Sequence, residues 1–315
     1  MDRAEEARLA AAGAAAPTAA ELADTEEVDL IPVRTYWQLV RERFIRHRLA
    51  VIALVVLAIL VTMAIVIPVV TGDEYQRTNL RLINAPPTFE APLGTNELGQ
   101  NLFLRLMRAT QVSLMIGLAA VLIIVGVGTV VGSIAGYAGG VIDNVLMRLV
   151  DVVLSLPVLF IILMVVAFFG RGDIWVIIIA IGITGWTLAA RLIRAEFLRL
   201  READFVQAAR ALGSPPLRIA ARHMLPSAMA PLVVAAALGV ADSVVVEAAL
   251  SFLGFGISPP EASLGNMLTN AQTYFFRAPE RVFHPGIILV LIVLCASFLG
   301  DGLRDALDPR QRVEK

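Results

Sequence analysis

The sequence predicts an all-α membrane protein with six transmembrane helices and a helical hairpin between the fourth and fifth. Three observations carry that prediction. The 315 residues are 58% hydrophobic with a mean hydropathy of +0.77, well above the apolar share of a soluble globular domain. Six apolar stretches can be placed as membrane crossings by their length. A charged, helix-breaking stretch, Gln207 to Pro226, interrupts them.

Residues 1–33 hold eight acids, all before Ile31, and two arginines in an Ala-rich background. They lack the positively charged start and short apolar core of a signal peptide, and the composition predicts a disordered cytoplasmic tail. Residues 34–110 comprise an interfacial helix, the first crossing and an extracytoplasmic loop. Arg34 to Arg48 hold five arginines against one acid, and Tyr36, Val40 and Phe44 fall on one helical face, as in a helix lying on anionic lipid with Trp37 at the headgroups. A plain basic flank of the first crossing is the alternative, and it leaves the topology unchanged.

The first crossing runs from Leu49 to Val70, uncharged throughout, and Thr71-Gly72-Asp73 ends it. Residues 111–305 hold the other five, with a final cytoplasmic tail over 306–315. Their expected extents are Val112 to about Gly136, Leu149 to Phe169, Ile174 to Ala190, Leu225 to about Leu250, and Pro285 to about Leu303. Arginine placement in short loops sets the orientation. Five arginines precede the first crossing, seven lie from Arg191 to Arg222, and Arg304, Arg310, Arg312 and Lys315 follow the last. Those segments are expected inside, with both termini cytoplasmic. Arg105 and Arg108, on the outer side, weaken the contrast without reversing it.

The loop from 194 to 226 carries the most information. Ala203 to Leu212 are good helix formers, Gly213 suits the left-handed residue that ends a helix, and Ser214 and Pro215 suit the start of the next. Arg210, Arg218, Arg222 and His223 make the stretch basic. This segment resembles the coupling motif of ABC-importer permeases, Glu-Ala-Ala, three residues, Gly, nine residues, Ile-x-Leu-Pro. Ala208, Ala209, Gly213, Leu225 and Pro226 match it, while Gln207 replaces the Glu and His223 the Ile. Three further segments are similar to the C-type permease of dipeptide and oligopeptide importers: Pro92 to Leu118 (PLGTNELGQNLFLRLMRATQVSLMIGL), Glu247 to Gly256 (EAALSFLGFG) and Leu299 to Arg310 (LGDGLRDALDPR).

The resemblance implies the type I ABC-importer permease fold, a second homologous permease forming a heterodimer, two ATP-binding subunits on the cytoplasmic face, and an extracytoplasmic substrate-binding protein. It places the chain in a bacterial cytoplasmic membrane as a multi-pass protein and assigns coupling to the ATPases to Gln207, Ala208, Ala209, Arg210, Gly213, Leu225 and Pro226. No cofactor is expected in the chain itself, ATP being bound by the partners. Membrane lipids are expected partners and nucleic acid is not.

The residues exclude several other activities. Lys315 is the sole lysine, which rules out a Walker phosphate loop or a lysine base in the folded body. The three histidines, His47, His223 and His284, lie near membrane boundaries, and no cluster of metal ligands or nucleophile–base pair appears. A single cysteine, Cys295, allows no internal disulfide. A secondary transporter or channel is the rival of a different class. It calls for inverted repeats or several mid-membrane acids and leaves the hairpin unexplained. Asp242 and Glu247 are candidates for lining the pathway, since a mid-membrane carboxylate needs water or a partner; for Glu247 a structural pairing is the equal alternative. Asp151 reads as an interfacial residue beside Arg148. Cargo is expected to be dipeptides or oligopeptides, with nickel or another small solute as the alternative within the family.

Overall fold

The computed structural model describes residues 35–269 and 274–307. The expected tail over 1–33 and most of that over 306–315 lie outside the described residues. In chain order the helices are α1 (Tyr36–Arg46), α2 (Arg48–Thr71), α3 (Leu102–Ala138), α4 (Gly140–Ser155), α5 (Val158–Phe169), α6 (Ile174–Arg201), α7 (Asp204–Ala211), α8 (Pro216–Arg218), α9 (Leu225–Phe252), α10 (Leu264–Met267) and α11 (Glu280–Leu307). Among the described residues the β structure is one isolated bridge, Thr95 to Asn101.

Five helical segments are long and apolar enough to cross a membrane: Arg48–Gln76, Leu102–Ala138, Ile174–Arg201, Pro216–Phe252 and Glu280–Leu307. A sixth arises when α4 and α5, bent by 84°, are counted together. The straight third crossing expected from Leu149 to Phe169 is therefore corrected. Leu156 is extended at φ −92°, ψ 140°, and Pro157 follows it as the N-cap of α5; a residue before proline is pushed out of the helical region. Alone, α5 has 12 residues, about 18 Å, too short for a core of about 30 Å.

Other helices outrun their apolar stretches. Asn101 starts α3 ten residues before Val112, its side chain accepting from the amides of Phe103 and Leu104 at 3.0 and 3.3 Å. With 37 residues, α3 is about 55 Å long. Asp173 caps α6 through the amides of Trp175 and Val176, and α6 continues past Ala190 to Arg201, so residues 194–201 of the expected coupling loop are helical. A helix forms over this basic segment as α1 and stops at His47, whose Nδ1 accepts from the Ala50 amide at 3.1 Å and so caps α2.

The backbone of the domain is the pair α3 and α6. Gly128, Gly132 and Gly136 fall at i, i+4 and i+8, so they share one face of α3. A methyl at Gly132 would sit 2.4 Å from the Ala190 carbonyl oxygen, and one at Gly136 would sit 2.5 Å from Cβ of Phe197. Lipid chains are as apolar as leucine, so helices in a bilayer associate through such close backbone approach. α6 answers with Gly182 and Gly185 facing Ile123 and Ile124.

The contacts sort the connections onto two ends. At one end, the cap, Tyr75 meets Glu261, Arg281 meets Glu97, and Gly172 lies against Ser258. At the other, the hairpin end, His47 meets Asp305 at 3.7 Å, Arg194 meets Asp143, and Arg210 lies over Tyr137. Residues 47 and 305 can share an end only if the chain crosses an even number of times between them, which makes the α4–α5 pair one crossing.

Candidate functional site

At the hairpin end, α6 stops at Arg201 and α7 turns back on it. Two residues of α7 face inward: Val206 is fully buried and Ala209 nearly so, packed with Ile193, Phe197, Ile219 and Met224. The end of α7 is a Schellman turn. Gly213 has φ +75°, its amide donates to the Arg210 carbonyl at 2.9 Å, and the Ser214 amide donates to the Ala209 carbonyl at 3.1 Å, so the orphan carbonyls of the last turn are satisfied. The next helix begins one residue later than expected. Its N-cap is Pro215, with Pro216 in the first turn, and Ser214 makes no side-chain cap. From Pro216 the helix runs into the crossing through a π-helical segment, Ile219–Met224. The wider turn lies just ahead of Pro226, whose ring would otherwise clash with a carbonyl four residues back.

The structure thus divides the residues assigned to coupling. Ala209 and Leu225 pack within the chain's own core and hold the hairpin in place. Gln207, Ala208, Arg210, Gly213 and Pro226 are exposed. Around them lie apolar side chains with no cover from this chain: Leu212 is 86% exposed, Leu217 80% and Phe205 45%. Gln207 donates to the Arg201 carbonyl at 3.3 Å, and the Arg210 guanidinium sits 5.8 Å from the Tyr137 ring centre. The hairpin is a braced, apolar-tipped projection.

The brace continues through ion pairs that the sequence reading missed. Arg194 on α6 grips both carboxylate oxygens of Asp143 on α4, at 2.5 and 2.6 Å. Asp151 pairs with Arg191 at 2.6 Å and only loosely with Arg148, at 3.9 Å. These two pairs tie α4 to α6 beside the root of the hairpin. Asp143 sits in the first turn of α4, ahead of the third crossing expected from the sequence.

Glu247 is placed differently from the pathway-lining alternative. It has no exposed surface. Ser113 on α3 and Ser251 on α9 each donate to its carboxylate at 2.7 Å. The Leu264 amide donates to Ser113 Oγ and the Ile257 amide to Ser251 Oγ, at 3.2 and 3.1 Å. In this conformation Glu247 anchors the cap to the helices below it. The cap itself closes on Glu261, which accepts from Tyr75 at 3.0 Å and from Arg108 at 3.1 and 3.2 Å, and on Arg281, which donates to Glu97 at 3.0 Å and to Asn84. Arg108 and Arg281 are thus tied into the cap. Burial, then the nearby Glu97 carboxylate, pushes the Tyr274 phenol above its usual value. The short helix α10 ends at Met267; residues 270–273 lie outside the described residues.

Asp242 stands apart. It is exposed, and it lines a 430 Å³ recess between α3, α5, α6 and α9 whose walls include Val121, Ile124, Ile162, Thr184 and Leu188. Asp242 and Glu247 therefore do not form one acidic site, as their angular separation on a helix predicts. Among the described residues no group of His, Cys, Asp and Glu could hold a metal ion.

Residues 128–313 match the family described as binding-protein-dependent transport system inner membrane component, and residues 35–87 match the N-terminal transmembrane domain of oligopeptide transport permease C. The chain is 35% identical over 294 residues to the oligopeptide transport system permease protein OppC of Haemophilus influenzae, an alignment covering 93% of this chain and 94% of that one. It is 34% identical over 299 residues to the protein of the same name from Bacillus subtilis, covering 94% and 96%. To that of Mycobacterium tuberculosis H37Rv it is 38% identical over 275 residues, covering 87% and 94%. Among solved structures, inward-facing conformations of the MetNI methionine ABC transporter match with a TM-score of 0.51 at 20% identity, over 66% of this chain and 98% of that chain. What is shared at that identity is the fold, an ABC-importer permease of type I.

Proposed function

This chain belongs to the family of binding-protein-dependent transport system inner membrane components, and from that premise we propose that it is the C-type permease of an ATP-driven importer of oligopeptides. It forms half of the translocation pathway, beside a second, homologous permease. Two ATP-binding subunits dock beneath it and a substrate-binding protein docks on its cap. It sits in a bacterial cytoplasmic membrane with the hairpin and both termini on the cytoplasmic side. The peptide cargo rests on the full-length similarity to permeases named for oligopeptide transport.

The observation that carries this reading is the hairpin. Leu212, Leu217 and Phe205 are exposed on a projection fixed by the buried Val206 and Ala209, and apolar groups presented on a rigid mount mark a contact for another protein. A partner shifts a conformational equilibrium only through contacts that differ between its states. A rigid hairpin meets that need, because movement of a docked ATPase displaces α6 and α9 directly instead of being absorbed by a loop. Gln207, Ala208, Arg210 and Gly213 supply the docking face, while Ala209, Leu225 and Pro226 set its position. The sole lysine, Lys315, leaves ATP binding to the partners.

Proteoliposomes decide the matter. Uptake of labelled peptide is expected only when this chain, the second permease, the ATPase subunits, the loaded binding protein and ATP are all present. Uptake by this chain alone would establish the secondary-transporter alternative and defeat the proposal.

A further inference from the structure

We propose that Asp242 receives the ammonium group of the transported peptide midway across the membrane. The inference rests on the reading of the chain as a peptide-importer permease and names the chemical group its pathway recognises.

Position comes first. Asp242 lies ten residues before the cap end of α9, Thr184 eleven after the N-cap of α6, and Val121 about as far beyond Gln111 on α3. At 1.5 Å per residue these are all about 15 Å from the cap, half the depth of a hydrocarbon core. All three line the same 430 Å³ recess. Its remaining polar side chain is Ser243, and no basic residue lines it.

Charge comes second. A carboxylate at that depth costs about 2.5–3.5 kcal/mol on the insertion scale, and such groups are found with partners. Three acids in the crossings have one here: Asp143 has Arg194, Asp151 has Arg191, and Glu247 has two serines. Among the described residues Asp242 has neither an ion pair nor a hydrogen bond to its side chain, and it is exposed to the recess. The site offers one negative charge in apolar walls, and its complement is a cation on a partly apolar body. A peptide supplies that in a form common to all its sequences, since every free peptide carries an α-ammonium whatever its side chains. A single charge with tolerant walls fits a pathway that must admit varied cargo, because specificity then falls on the shared group.

The test uses the complete importer in proteoliposomes, with a tripeptide and its N-acetylated form each presented at saturating binding-protein complex. The wild-type protein is expected to take up the free peptide faster. Asp242→Asn is expected to lower free-peptide uptake about tenfold, the loss of one charge contact worth about 1.4 kcal/mol, with little change for the acetylated peptide, and Asp242→Glu to restore part of the preference. Assembly is read in parallel by gel filtration. An unchanged ratio in Asp242→Asn, with wild-type uptake intact, overturns this inference alone. Equal loss for both peptides, or loss of the second permease from the complex, assigns Asp242 to a contact with a cationic side chain of that subunit and also overturns it. Failure of the wild-type importer to move any peptide defeats the functional reading itself.

Discussion

Ser113 donates a 2.7 Å hydrogen bond to Glu247 across 134 positions of sequence. Each residue belongs to a segment that resembles C-type permeases, Pro92–Leu118 and Glu247–Gly256, and the bond joins the two segments directly. The motif around Glu247 completes the lock: Ser251 closes the other carboxylate oxygen one turn on, and at Gly256 a methyl would collide with Ser251 Oγ at 1.8 Å. These two segments are two halves of one buried joint beneath the cap.

Removing that joint should unseat the cap. Glu247→Ala leaves the Ser113 and Ser251 hydroxyls beside a void with no acceptor for their protons, and an unsatisfied buried group costs about 1–3 kcal/mol. The complex should melt at lower temperature and the segment around Ile257–Leu264 should lose protection from proteolysis. Ser113→Ala, which deletes one of two donors, should cost less, about 1 kcal/mol. Wild-type melting and proteolysis in Glu247→Ala would show that the joint does not hold the cap.

Much of this was legible in the sequence, and the rest was hidden for physical reasons. Apolar length located the crossings, because a bilayer demands it, yet it set helix ends poorly: α3 and α6 continue as helix well into water, where Asn101 caps one and Arg201 ends the other. The break in the third crossing is hidden because Leu156-Pro157 sits in an apolar run whose hydropathy conceals it. Gly213 could be read because a left-handed turn needs glycine. The Gly128–Gly132–Gly136 stripe was equally readable from its spacing. The partners of acids could not be read: Asp143 with Arg194, and Glu247 with Ser113, are set by helix packing that no local pattern encodes.

Gly213→Val tests the hairpin. A Cβ there meets nothing within 4 Å; the cost comes from φ +75°, about 1–2 kcal/mol for a residue with a Cβ. The crossings should insert normally, while peptide uptake and binding-protein-stimulated ATP hydrolysis fall together. Gly213→Asn should be tolerated, since asparagine visits this region. Full uptake in Gly213→Val would show that the shape of the turn is unimportant.

Two glycines on α3 provide a matched pair. At Gly132 a methyl would sit 2.4 Å from a backbone oxygen that cannot move aside, whereas at Gly126 it meets nothing within 4 Å. Gly132→Ala should therefore cost about 1–3 kcal/mol through overpacking of α3 on α6, and Gly126→Ala should be neutral or stabilising by up to about 1 kcal/mol. Melting of the purified complex distinguishes them. Equal melting temperatures would remove the glycine stripe as the basis of that helix pair.

The proposed orientation can be read with cysteine labelling, and the structure selects the sites. Ser263 is unsuitable, being fully buried as the cap of α10. Phe276 is 89% exposed at the cap end, Leu212 is 86% exposed at the hairpin, and the native Cys295 is buried, at 5% exposed. With the hairpin cytoplasmic, Phe276→Cys should react with a membrane-impermeant maleimide in intact cells, Leu212→Cys should react only after lysis, and the unsubstituted chain should give little background. The arginine count argues for this direction: seven lie from Arg191 to Arg222, which marks the hairpin end as the retained, cytoplasmic side. Labelling of Leu212→Cys in intact cells with protection of Phe276→Cys would invert the topology, and it would move the ATPase docking face to the cap.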